Sequence, residues 1–88
     1  MFSKAKYIIV ANSTIELPYV FPELVKHSDL ARLVTKDTTL TVVGAGFCHV
    51  SNTGSYECYG DSSSLGVKSR EEDSDLLNRM LGGVVTNG

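Results

Sequence analysis

The stretch from Gly60 to Arg70 holds the densest set of side chains able to grip an anion: Ser62, Ser63, Ser64, Gly66, Lys68, Ser69 and Arg70. Hydroxyls donate hydrogen bonds, glycine lets backbone approach a ligand closely, and two cations supply charge. Ser69-Arg70-Glu71-Glu72 has the pattern of a capping box, which would aim the first free amides of a helix at the same loop. Arg70 can make a forked contact to a phosphate that a lysine cannot. The spacing departs from that of a Walker-type loop, where Lys and Ser or Thr follow Gly directly. The neighbouring Glu71, Glu72 and Asp73 oppose an anion. The competing reading is a solvated connector in which Arg70 pairs with Asp73 along the helix, a contact of roughly 0.2–0.5 kcal/mol.

Other reactive side chains are sparser. Cys48 and Cys58 are set to face each other across a hairpin, as a redox pair or as two small buried residues in a reducing cytosol. His27, His49 and the two cysteines lack the paired spacing of a zinc site, so no metal or cofactor is expected. His49 opposite Glu57 lacks a nucleophile or an orienting third group, which makes it a surface pair. There is no Gly-x-Ser-x-Gly elbow and no His-Glu-x-x-His helix, and no catalytic residue is assigned.

The elements that must position these groups read as ββαββα. Lys6–Val10 is rich in β-branched and aromatic residues, Asn12-Ser13 is a turn pair, and Thr14–Leu17 returns as a strand. A two-residue loop sets Val10 opposite Ile15 and Ile8 opposite Leu17. Pro18 ends this strand or confines it to an edge. Pro22 suits the first helical position, which predicts a helix over 22–34 with Leu24, Val25, Leu30, Ala31, Leu33 and Val34 inward; Ser28 is a second N-cap. Thr35-Lys36-Asp37 is a connector.

Thr38–Val50 and Ser55–Gly60 form a hairpin around Asn52-Thr53-Gly54, with Gly54 left-handed. Its register pairs Val50 with Tyr56, Cys48 with Cys58 and Gly46 with Gly60, all on one face with Val42. Phe47, Tyr59, Val43 and Ala45 take the other face. Gly44 and Gly46 admit a closely packed helix or a bulge. Asp61–Lys68 is a polar loop. The capping box opens a helix over 70–81 with Leu76, Leu77, Met80 and Leu81 inward, stopped by Gly82.

Together these give an α+β fold: a single small domain over residues 1–88, an antiparallel sheet of four strands with two helices on one face. The opposite face would then stay partly apolar, which with Val84-Val85 predicts a homo-oligomer.

A chain of 88 residues holds one domain, and its net charge of −2 speaks against general nucleic-acid or membrane-surface binding. Five of its ten acids, Asp61, Glu71, Glu72, Asp73 and Asp75, fall between residues 61 and 75. No run reaches the roughly 18 apolar residues of a membrane span, and the five apolar residues from Tyr7 to Ala11 are too few for a secretory core. A cytoplasmic location is the expectation.

Two stretches carry a resemblance. The first is Lys6-Tyr-Ile-Ile-Val, Ile15-Glu-Leu-Pro and Phe21-Pro-Glu-Leu-Val-Lys-His-Ser-Asp-Leu-Ala. The second is Val42-Val-Gly-Ala-Gly-Phe and Tyr59-Gly-Asp-Ser-Ser-Ser-Leu-Gly-Val-Lys-Ser-Arg-Glu-Glu-Asp. Together they resemble short uncharacterised accessory proteins of tailed bacteriophages and prophages. The resemblance carries no functional residue. It implies a non-enzymatic protein of the host bacterial cytoplasm. Such a protein binds a host protein, or sequesters a small anionic, nucleotide-like ligand, for example to block antiviral defence. A minor virion structural or decoration protein is the alternative, and a small hydrolase-like enzyme the third.

Overall fold

The computed structural model describes residues 4–36 and 38–82. Asp37 of the expected connector and Val84-Val85 lie outside the described residues. Strands β1 (Ala5–Ala11), β2 (Glu16–Pro22), β3 (Thr41–Val50) and β4 (Tyr56–Tyr59) form one antiparallel sheet in the order β2-β1-β3-β4. Helix α1 (His27–Thr35) joins β2 to β3. A small hairpin, β5 (Asp61–Ser62) and β6 (Val67–Lys68), precedes helix α2 (Asp73–Leu77), which continues as a π-helical turn over Asn78–Gly82. The α+β class, the four antiparallel strands and the two helices are as the sequence predicts.

The helices do not share a face. Tyr7, Ile9 and Cys48 pack with Leu76 and Leu77 of α2. Ile8, Val10 and Ala45 pack with Ala31 of α1, and Leu65 and Val67 of the small hairpin join them. Consecutive strand residues point to opposite faces, so α2 covers one side of the sheet and α1 with β5–β6 the other. The expectation of both helices on one face is therefore corrected. Its signal is in the sequence: Tyr7–Ala11 is a continuous apolar run, as befits a strand buried on both faces. The correction also removes the main motive for self-association, because Ala45 is covered within the chain.

The second strand is later and longer than predicted. Val10 pairs with Leu17 and Ile8 with Tyr19, two residues beyond the expected partners Ile15 and Leu17. Asn12 explains the longer turn: its Oδ1 accepts the Thr14 and Ile15 amides at 2.8 and 3.0 Å. Leu17, Tyr19 and Phe21 then alternate onto the α1 side. Pro22 ends this strand instead of opening a helix. Both Pro18 and Pro22 sit on an edge strand, where a missing N–H is tolerated. The helix begins at His27 rather than 22, and Ser28 is not its cap. Leu24, expected inward, is 95% exposed in the connection, and Leu33 is exposed as well. The inward stripe is His27, Leu30, Ala31 and Val34, at helical spacing.

The β3–β4 hairpin has the predicted register, Phe47 with Tyr59, Cys48 with Cys58, His49 with Glu57 and Val50 with Tyr56. Gly54 has φ +86° in its turn. Both cysteines are free. A bulge breaks the pairing of β3 with β1: Ile9 faces Gly44 and Val10 faces Val42, leaving Val43 unpaired. Beyond it the faces exchange, so Val43 packs with the Cys48 cluster and Val42 with Ala45, the reverse of the expected assignment.

The start of α2 differs too. No side-chain cap bond forms at its start, so the predicted Ser69–Glu72 box is absent. Asp73, the first helical residue, instead reaches back and accepts the Arg70 amide on Oδ2 at 3.0 Å. Met80 and Leu81 are exposed, because the π turn, with more residues per turn, carries them off the Leu76–Leu77 stripe. The expected polar loop 61–68 is instead the β5–β6 hairpin, which packs Leu65 of its turn and Val67 of β6 inward.

Candidate functional site

On the α1 side, the β5–β6 hairpin stands opposite the beginning of α1. Gly66, at φ +69°, closes its turn, and the Leu65 and Gly66 amides donate to the Ser62 carbonyl at 3.2 and 2.8 Å. The Ser62 hydroxyl, 2% exposed, lies 3.3 Å from both the Leu65 amide and the Ser64 hydroxyl. Ser62 thus shapes the turn together with the Ser64 hydroxyl, and Ser63 and Ser64 are exposed residues.

A groove of about 350 Å³ separates this turn from α1, lined by Lys6, Lys26, His27, Phe47, Asp61 and Ser62–Ser64. Lys6 comes from β1, where its Nζ donates to the Val25 carbonyl at 2.9 Å and keeps two further donors. Lys26 is the N-cap residue of α1 and exposed. No side chain caps that helix start. His27 is buried edge-on between Phe21 and Phe47, with ring centroids 5.5 and 5.8 Å away. Its Nε2 sits 2.8 Å from the Gly46 carbonyl, the place of an N–H donor.

The electrostatics of this corner are mixed: Asp29 in the first turn of α1 follows ordinary helix design and pairs with Arg32, but the N-cap does not. A helix start carries partial positive charge and favours acids or hydroxyls. Here a lysine occupies the N-cap, a second lysine lies across the groove, and Asp61 is the one carboxylate in the lining. The arrangement lowers the energy of an anion placed between the lysines and the serine turn.

The predicted site residues divide among three places. Ser62, Ser63 and Ser64 line the groove. Gly66 and Lys68 line an adjoining cavity of about 280 Å³ on the other side of the hairpin, shared with Asp61, Ser62, Ser63 and Val67. Ser69 and Arg70 line neither. The Ser69 amide donates to the Gly60 carbonyl at 2.9 Å. Arg70 is held by three carboxylates: Asp73 Oδ1 at 2.8 Å, Glu16 Oε1 at 3.0 Å and Glu72 Oε2 at 3.4 Å. Partial burial disfavours its charge, but the hydrogen bonds it donates to Glu16 and Asp73 outweigh that and raise its pKa above the usual value. Its fork is engaged from Nε and Nη2 by Asp73 and Glu16 inside the chain.

No protein-family model, curated protein or solved structure matches this chain. The site therefore has to be read from its own geometry.

The α2 side offers reactive groups but no open site. The Tyr7 hydroxyl donates to Asp73 Oδ2 at 2.6 Å, and Asp73 is 0% exposed. Burial first, and then that hydrogen bond, push the Tyr7 pKa upward. Burial pushes the Cys48 thiol up to about 12, with the neighbouring Cys58 adding to it. Burial likewise pushes Cys58 up to about 11 against a hydrogen bond from Ser74. Both are protonated at neutral pH, so neither is an activated nucleophile. Among the described residues no group of three His, Cys, Asp or Glu is placed to hold a metal ion. No described helix is long and apolar enough to cross a membrane. His49 and Glu57 form the predicted surface pair at 2.9 Å.

Sequence reasoning missed Lys6, Lys26, His27 and Phe47 as groove residues. One signal for Lys26 was present: a basic pair, Lys26-His27, stands where a helix start calls for a serine or an aspartate.

Proposed function

We propose that this protein is a non-enzymatic binding module that holds a small anionic ligand in the groove between α1 and the β5–β6 turn. The observation that carries this reading is the convergence of Lys6 and Lys26 on a helix start without a capping side chain, opposite three serines. Such a conflict with local helix preference marks a place kept for something other than stability. Lys6 and Lys26 supply charge, and the Ser63 and Ser64 hydroxyls supply donors. His27 fixes the start of α1 against β3. The groove is lined by residues of a single chain. In the bacteriophage setting that the sequence suggests, the role we assign is sequestration of a signalling ligand in the host cytoplasm.

Calorimetric titration with inorganic phosphate and with ribose 5-phosphate tests the reading. Lys26→Ala should weaken binding by about tenfold, roughly 1.4 kcal/mol, and added salt should weaken it in the wild type. Arg70→Ala should leave affinity unchanged in whatever fraction remains folded. Equal affinity in the wild type and Lys26→Ala, or no binding at millimolar ligand, overturns it.

A further inference from the structure

Cys48 and Cys58 occupy the kind of cross-strand position at which two side chains come closest. The hydrogen bonds of β4 fix this. The Tyr56 amide and carbonyl turn outward to Asn78, at 2.7 and 3.1 Å, and the Cys58 amide turns outward to the Ser74 hydroxyl at 2.9 Å. In an antiparallel ladder a residue whose backbone groups point away from its partner strand belongs to a non-hydrogen-bonded pair. Cys48 opposite Cys58 is such a pair. The α-carbons of such pairs stand about 4.5 Å apart, inside the roughly 4.4–6.8 Å that a disulfide spans. Both side chains lie on the α2 face, Cys48 within its buried cluster and Cys58 packed against it. The register alone brings the two thiols into bridging range.

The two differ in access. Cys48 is 1% exposed, whereas Cys58 is partly open to solvent. We propose that Cys48 and Cys58 form a reversible disulfide site, closed by a low-molecular-weight disulfide such as oxidised glutathione, with Cys58 as the point of entry and Cys48 as the resolving thiol. The step is two successive exchanges. The Cys58 thiolate attacks one sulfur of the oxidant, and the other half leaves as a thiol. The Cys48 thiolate then attacks the Cys58 sulfur of the mixed disulfide, and the second half leaves. The protein gives up two electrons and two protons, and the oxidant takes them up as two thiols. Burial keeps both cysteines protonated at neutral pH, so closure is slow there and quickens as pH rises. A reducing compartment holds the pair open and an oxidising one closes it. The bond would tie the four-residue edge strand β4, which anchors α2 through Ser74 and Asn78, covalently to β3. The anion groove lies on the other face of the sheet, and the disulfide site does not depend on it.

The test is oxidation of the folded full chain with excess oxidised glutathione near the ordinary thiol pKa of 9.0. Mass spectrometry without reductant, a free-thiol count in denaturant and thermal unfolding read the product. The expected product is a monomer lighter by two hydrogens, with no free thiol and no glutathione adduct. Its Tm should exceed that of the reduced chain by at least about 5 °C, and dithiothreitol should restore the starting value. Cys48→Ser should stop at a glutathione adduct on Cys58, whereas Cys58→Ser should leave Cys48 free. Thiols that persist through prolonged exposure, disulfide-linked dimers, or a wild-type product that stays a glutathione adduct overturn the site. An oxidised monomer with an unchanged or lower Tm overturns it too, because the bridge would then require a distorted hairpin. An adduct on Cys48 in Cys58→Ser, with none on Cys58 in Cys48→Ser, overturns the order of attack.

Discussion

The two faces of the sheet handle polar groups in opposite ways. Under α2, the buried polar side chains of the described residues are partnered inside the chain. The Asp73 carboxylate takes the Tyr7 hydroxyl, the Arg70 amide and the Arg70 guanidinium. The exposed edge of β4 is closed by the helix's own side chains: Asn78 accepts the Tyr56 amide at 2.7 Å and donates to its carbonyl at 3.1 Å, while Ser74 accepts the Cys58 amide at 2.9 Å. Under α1, charge is left over, with two lysines at an uncapped helix start. A closed circuit of hydrogen bonds contributes stability and specifies one packing; an open one leaves capacity for a ligand. Charged residues alone do not distinguish the two cases. Arg70 is by type as strong an anion binder as any residue of the chain, yet Asp73, Glu16 and Glu72 surround it.

The sharpest way to break the closed side is Asp73→Ala. It leaves the Tyr7 hydroxyl buried without a partner and Arg70 short of its central carboxylate. A loss of about 3–5 kcal/mol is expected, a large part of the stability of a domain this small, and chemical denaturation reads it. Gly44 belongs to the same unit, since a Cβ there would overlap the Asp73 carboxylate.

Asn78→Ala strips both partners from Tyr56 at the β4 edge. The cost should be about 1–3 kcal/mol, seen as a lower denaturation midpoint with an unchanged slope. Asn78→Asp should recover only the amide contact.

Alkaline pH acts on the same face. Cys48, Cys58 and Tyr7 all have pKa values raised in the folded chain, chiefly by burial. Above the ordinary thiol value of 9.0, the unfolded chain therefore holds fewer protons than the folded one. Stability is full below that pH and falls as pH rises toward about 11 and 12, where the folded thiols themselves ionise. The slope is at most about 1.4 kcal/mol per pH unit for each group. Denaturation midpoints measured from neutral pH upward should decline from about pH 9, and Cys48→Ala should flatten the decline relative to its own neutral value.

The open side gives the smallest effect and the opposite sign. Lys26→Asp places an acid at the α1 N-cap and should raise stability by about 0.5–1 kcal/mol. The same change should abolish anion binding. A stabilised variant that still binds would show that the conflict at Lys26 serves no ligand.

Much of the framework was legible from residue types. The β3–β4 register follows from alternation on either side of Asn52-Thr53-Gly54, and that hairpin formed as read. What failed was local punctuation overruled by tertiary context. Pro18 and Pro22 look like boundaries, yet an edge strand accommodates both, and the Leu17-Tyr19-Phe21 alternation running through them was the better guide. Ser69 and Glu72 match a capping box, but Asp73 is held inward by the Tyr7 hydroxyl on β1, a partner that sequence spacing cannot show. The groove was half legible. Ser62–Ser64 were identifiable because they are contiguous, whereas Lys6, Lys26 and Phe47 meet them only through the pairing of β1 with β3 and the return of α1. Arg70 stood out in the sequence for its fork, and in the fold that fork contacts Asp73 and Glu16.

Amide chemical shifts of the ¹⁵N-labelled protein, followed as inorganic phosphate is added, test the central claim most directly. Saturable shifts confined to Lys6, Lys26, His27 and Ser62–Ser64, with Ser69–Asp73 unmoved, are the predicted result. Shifts centred on Lys68–Arg70, or none that saturate, would contradict it.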